Sequence, residues 1–193
     1  MPIAGSLMGK SKEGGMTGQP RSSISSAHLN AFVQPAIHVL ATMVGISAQA
    51  GPPRKHSAIT DAEAVTVMIG IKGDYTGTIL FRFSERLACQ IVKNLISPDR
   101  EIEELNSDVQ DALGELANVI VGNATGHLDA LGIQAMMTPP IITVGKNVKF
   151  VFPETNELVV VPLATPAGEI EMNVAFAMQG PSTAEQDGRD HPR

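Results

Sequence analysis

The chain has 193 residues, 43% hydrophobic and 18% charged, a balance that builds a folded core rather than a disordered chain. Aromatic residues make up only 4%, with no Trp, so that core must be aliphatic. The formal charge of −6, with no basic stripe, excludes a nucleic-acid partner, because phosphate contacts need clustered Lys and Arg. One cysteine, Cys89, excludes an intramolecular disulfide and fits a reducing compartment. The five histidines, His28, His38, His56, His127 and His191, stand at no metal-ligand spacing, so no metal or cofactor is expected on this chain. No apolar run nears the roughly 20 residues of a membrane span. Lys10 and Lys12 precede no apolar stretch of the kind a signal peptide needs. The expected location is the cytoplasm, with no membrane partner.

The first 25 residues hold five Gly and five Ser without periodicity, and the end from Gly180 reads the same way. Such segments bury too little surface to offset ordering entropy, so flexible tails are expected over 1–26 and 180–193, with one domain over 27–179. The domain opens with a helix in which Phe32, Ala36, Val39, Leu40 and Met43 recur at helical spacing, and which Pro35 should either start or kink. A Gly/Pro loop, GPPRK, follows. Val65, Val67, Ile69 and Ile71 then alternate with Thr66, Met68, Gly70 and Lys72. Gly73-Asp74 supplies a turn, and Gly77, Ile79, Phe81 and Phe83 alternate on the return, predicting a hairpin. Leu87, Ile91 and Leu95 align on a short helix that stops before Pro98.

Asn106, Ser107 or Asp108 can cap a longer helix that runs to about Leu131, with Gly132 suited to the position beyond its end. Five strand-like segments close the domain: IQAMM, IITVG, VKFVF, LVVVPL and GEIEMNVAFAM. In the last, Ile170, Met172, Val174, Phe176 and Met178 share a face. Helices mixed with consecutive antiparallel strands imply an α+β fold, an antiparallel sheet with long helices packed on one face.

On a wheel of the long helix, Leu113, Leu116, Ala117, Ile120, Ala124, Leu128 and Leu131 form the buried arc. Asp111, Glu115, Asn118, Gly122 and Asp129 point the other way. Glu115 and Asn118 are i,i+3 neighbours and project side by side. A mid-helix Gly costs about 1 kcal/mol against Ala, yet Gly122 would let another protein approach the backbone closely. Glu-x-x-Asn alone is short, and a solvated helix carries such residues without any activity.

The stretch DALGELANVIVGNATGHLDALG followed by MMTPPIITVG, however, resembles the active-site segment of the CheC/CheX/FliY phosphatases. That family pattern is Asp or Ser, three residues, Glu, two residues, Asn, and a proline further along. Here it reads Asp111, Glu115 and Asn118, with Pro139 or Pro140 beyond. GDYTGT, TPPIITVGKNV and PLATPAGEIEMNV extend the likeness over about residues 28–178. The first helix, NAFVQPAIHVLATMVG, lacks a second Glu-x-x-Asn, so the likeness is to the CheX type.

The resemblance implies removal of the phosphoryl group from an aspartyl-phosphorylated, CheY-like response regulator, in chemotaxis or related two-component signalling. Glu115 and Asn118 would be the catalytic pair, with Asp111, Gly122 and Asn123 meeting the partner. The regulator would supply Mg²⁺, and the chain would form a homodimer by extending its sheet. A non-catalytic adaptor or flagellar-switch-like module on the same fold is the competing reading, and a dimeric scaffold for another protein a third. Of the remaining residues, Cys89 is expected as a semi-buried packing residue and His127 as a packing or hydrogen-bonded histidine at the apolar edge. Lys146, Lys149 and the run Glu101, Glu103 and Glu104 are expected on turn, strand or loop surfaces, and the Met residues as core or tail filler.

Overall fold

In the computed structural model, Ser25 caps the first helix: its side chain accepts a hydrogen bond from the His28 backbone N–H at 3.2 Å. The structure describes residues 24–56, 59–60, 65–96, 99, 102, 104–145, 148–150, 152 and 157–178. Apart from 24–26, the expected tails lie outside those residues, as do Glu101, Glu103 and Lys146.

Helix α1 (Ser26–Met43) continues through Pro35 rather than starting there. Pro35 removes one helical donor, but Phe32, Ala36, Val39 and Leu40 are all buried around it, and that packing outweighs the missing bond. Met43, expected in the core, is 44% exposed. The helix ends there and the chain reverses at Gly45 (φ 70°). Ile46 then donates its N–H to Leu40 O at 3.0 Å and enters the core in Met43's place.

Strands β1 (Gln49–Ala50), β2 (Arg54–His56) and β3 (Ile59–Thr60) follow, then the hairpin of β4 (Val65–Gly73) and β5 (Tyr75–Phe83). Next come helices α2 (Glu85–Ile96) and α3 (Ser107–Asp129), then β6 (Ala135–Met137), β7 (Ile141–Val144), β8 (Lys149–Phe150), β9 (Glu157–Thr165) and β10 (Gly168–Met178). The main sheet runs β1-β9-β10-β5-β4-β6, with β2 also on β9 and β7 also on β4. Every pairing is antiparallel. The fold is therefore the expected α+β one. GPPRK is not wholly loop, since Arg54 and Lys55 belong to β2; strands this short, with every side chain exposed, leave no alternation to read.

One face of the sheet carries the main core. Val65, Val67, Ile69 and Ile71 of β4, Ile79, Phe81 and Phe83 of β5, and Ile170, Met172, Val174 and Phe176 of β10 pack there against the helices. Gly77 sits where β5 and β10 meet most closely, because a Cβ there would lie 2.1 Å from Ala175 O. The opposite face has a second, small core that the strand patterns did not foreshadow. Leu80, Leu158 and Ala175 are covered by Met68, Phe150 and Phe152, and β3 pairs with β8 as a separate two-stranded sheet. On that face Arg82, 5% exposed, donates to Glu171 directly across from it in the β5–β10 register.

Candidate active site

Helix α3 is capped as anticipated, by Asn106, whose side chain accepts from Val109 N–H at 3.0 Å. Its inward arc of Leu113, Leu116, Ala117, Ile120, Ala124 and Leu128 is buried. Leu131 is not part of that arc and is 50% exposed. The helix has already ended at Asp129, and the chain leaves it through Gly132 (φ 78°), so Ile133 packs on the core instead.

The outward side of α3 carries the expected residues. Asp111 and Glu115 are exposed, Asn118 and Gly122 are half-buried, and Asn123 is exposed. Glu115 and Asn118 have no hydrogen bond or ion pair to the described residues, so both are available to a second molecule. Asp129 is not available in the same way, because its Oδ1 accepts from Gln134 Nε2 at 3.0 Å. A Cβ on Gly122 would meet only Met137 Cε, at 3.8 Å, an ordinary contact. The chain's own packing therefore does not require glycine at this position.

One flank of the strip is walled by the loop between β6 and β7. Thr138 clamps that loop to β4: its backbone N–H donates to Gly70 O at 2.9 Å, and its Oγ1 accepts from Gly70 N–H at 3.0 Å. Pro140, half-buried, then lies over Gly114, where a Cβ would be 3.5 Å from Pro140 Cγ and 3.3 Å from Ile142 Cδ1. Pro139 is exposed. Of the two prolines it is therefore Pro140 that packs on α3, one residue before Glu115. Sequence reasoning left the pair open because the distinction is tertiary.

The other flank opens toward α1. Asn123 and His127 of α3, with Gln34, Pro35 and His38 of α1, line an open cleft of about 510 Å³. His127 is thus exposed rather than packed at an apolar edge, because the two helices part at its turn. Gln34 and His38 were not singled out in the sequence, where nothing on α1 alone marks them; only the packing of α1 on α3 brings them beside Asn123 and His127. Cys89 is buried, more deeply than expected, and burial first, then the Glu85 carboxylate, push its thiol above the ordinary value. Among the described residues no three His, Cys, Asp or Glu side chains are grouped as metal ligands, and no helix is long and apolar enough to cross a membrane.

Known proteins resemble this chain in sequence and fold. The family described as "Chemotaxis phosphatase CheX" matches residues 65–164, from the first long strand through the penultimate one and including the whole of α3. The CheY-P phosphatase CheX of Thermotoga maritima is 27% identical over 121 residues, covering 63% of this chain and 77% of that protein. The chemotaxis protein CheX of Desulfovibrio desulfuricans superposes with a TM-score of 0.70 at 26% identity, covering 77% of this chain and 98% of the other. The CheX–CheY–BeF3–Mg²⁺ complex of Borrelia burgdorferi gives 0.68 at 26% identity, covering 80% and 99%. Fold, motif-bearing helix and matched span agree: the chain belongs to the CheX family of chemotaxis phosphatases.

Proposed function

We propose that this chain is a protein phosphatase that hydrolyses the aspartyl phosphate of a CheY-like response regulator in chemotaxis signalling, using Glu115 and Asn118. The observation that carries the assignment is a carboxylate and a carboxamide, unpartnered among the described residues and side by side on the outward face of a capped helix. Membership of the CheX chemotaxis phosphatase family and likeness to a CheY-P phosphatase of Thermotoga maritima support it.

The chemistry asks little of the phosphatase itself. An acyl phosphate on a receiver domain sits in a site where Mg²⁺ and a lysine of the regulator neutralise the phosphoryl oxygens, and hydrolysis needs one water held in line. The Asn118 carboxamide can accept a hydrogen bond from that water and donate to a phosphoryl oxygen, fixing its direction without being consumed. The water oxygen forms the new P–O bond as the bond to the aspartyl oxygen breaks. The aspartate leaves as carboxylate, and the water's proton passes to phosphate or solvent. Glu115, repelled by the phosphate, pairs instead with the regulator's lysine and sets the register of the two proteins. Asp111 and the bare backbone at Gly122 border this contact, with Asn123 at its far side. Mg²⁺ enters with the substrate, and the cytoplasm, where such regulators act, is the proposed location.

The homodimer belongs to the same reading. Among the described residues, strands β6 and β7 pair on one side only, with β4, and Met136, Ile141 and Val144 along them are 72%, 56% and 48% exposed. An unpaired apolar edge of this kind is a template for a second copy. Release of inorganic phosphate from an excess of phosphorylated receiver, with this chain added in catalytic amount, tests the function. Many turnovers per chain are expected, whereas phosphate release that stops at one equivalent or is unchanged would replace the enzyme with an adaptor.

A further inference from the structure

The cleft between α1 and α3 lies on the opposite flank of the α3 strip from Asn118, and its composition sets it apart from the rest of that surface. Its polar lining is Gln34, His38, Asn123 and His127, over a floor formed by Pro35. None of these four side chains has a hydrogen-bond partner among the described residues. Among the described residues no carboxylate lines the cleft, whereas Asp108, Asp111 and Glu115 crowd the first half of the same helix. One end of the surface thus repels anions, and the other offers four N–H-bearing groups to an acceptor.

We infer that this cleft is a second docking point for the same phosphorylated receiver, holding an acidic side chain of the partner while Asn118 addresses the phosphate. The inference rests on the phosphatase reading above and adds where affinity and partner choice reside. Continuity of the surface supports it. At ~1.5 Å and roughly 100° per residue, His127 stands roughly 14 Å along α3 from Asn118 and about half a turn round it, on the side facing α1. An interface of standard size, about 800 Å² per partner, spans that distance with room to spare. Between the two points the outward side of α3 is low: Gly122 and Gly126 have no side chain, and a Cβ on Gly126 would meet nothing within 4 Å. Val119 is half-buried. No bulky group therefore holds a partner away from the helix on its path from Asn118 to His127.

The complementary chemistry defines the partner patch. It should present a lysine toward Glu115 and an Asp or Glu toward the cleft, an arrangement that fixes one docking orientation and rejects its reverse. Gln34 and Asn123 can each donate through the carboxamide, and each imidazole through a ring N–H, so that a carboxylate could be held from both helices at once.

The test separates docking from chemistry. Kinetics on phosphorylated receiver and equilibrium binding of receiver carrying beryllofluoride are compared for wild type, His38→Ala/His127→Ala and Asn118→Ala. Losing two hydrogen bonds should raise KM and Kd about tenfold in the double histidine variant, with kcat at saturation little changed. Asn118→Ala should show the reverse split, losing kcat while retaining binding. His127→Glu should bind more weakly than His127→Ala, and His127→Arg should bind as well as wild type, an order that follows charge rather than fold. Unchanged Kd in the double variant, with activity intact, would overturn the docking role and leave the phosphatase reading standing. A change of monomer–dimer mass in place of Kd would also overturn it, making the cleft a contact between copies. Wild type that neither binds nor dephosphorylates any receiver would remove both readings together.

Discussion

Helices α1 and α3 pack side by side on the same sheet, and each buries one apolar arc, yet only α3 carries the Glu115 and Asn118 pair. Inward, the two are interchangeable in kind: Phe32, Ala36, Val39 and Leu40 on α1, Leu113, Leu116, Ile120 and Ala124 on α3. Outward they differ. Helix α1 contains no Asp or Glu at all and shows Gln34 and His38, whereas α3 shows Asp111, Glu115, Asn118 and Gly122. On the proposed function, the difference teaches that the fold supplies two similar apolar platforms and that a few outward residues on one of them decide activity.

Mutations on inward and outward positions should therefore separate stability from activity. The largest expected effect is Phe32→Ala on α1, where a fully buried ring is lost from the centre of the core. About 3–5 kcal/mol of stability should go, read by denaturant melting, with the activity of the remaining folded fraction unchanged. Next comes Glu171→Ala on the far face of the sheet, which removes the Glu171 carboxylate from beside the buried Arg82. Because Glu171 is itself partly solvated, the cost should be about 1–3 kcal/mol rather than the full penalty of a buried pair, again with phosphatase activity retained. Glu115→Ala, on the outward side of α3, should do the opposite. Thermal stability stays as it was, while kcat/KM for the phosphorylated receiver falls about tenfold and loses much of its salt dependence. The smallest effect is the sharpest. Gly122→Ala should stabilise α3 by about 1 kcal/mol, since its Cβ has room, while weakening receiver binding a few-fold. Gly126→Ala, just as free of internal contacts, gives a direct comparison one turn further on.

The elements whose periodicity is set by one buried face were legible in the sequence. The β4–β5 hairpin, α2, α3 and the inward row of β10 from Ile170 to Phe176 all fall where alternation or 3.6-residue spacing put them. The exposed positions of Glu115 and Asp111 follow from the same wheel. Where the reading failed, a tertiary event overrode the local pattern. Met43 and Leu131 continue apolar arcs on paper but stand at the helix ends, just before Gly45 and Gly132 turn the chain away. Pro35 does not start the helix but lies inside it, where buried packing outweighs one lost bond. The Arg82–Glu171 pair and the small core under Phe150 and Phe152 lie on a sheet face whose partner segments are far away in sequence. His127 and His38 gain significance only when α1 is laid against α3.

The central claim is that one carboxamide on α3 positions the attacking water. The most direct measurement is single-turnover loss of phosphate from a receiver saturated with this chain, wild type against Asn118→Ala. Saturation removes any difference in docking, so the rate reports chemistry alone. A fall of about a hundredfold or more toward the receiver's own rate is predicted, with the melting temperature and receiver affinity of the variant preserved. Wild-type rates in a well-folded Asn118→Ala variant would contradict the account and move the chemistry away from this helix.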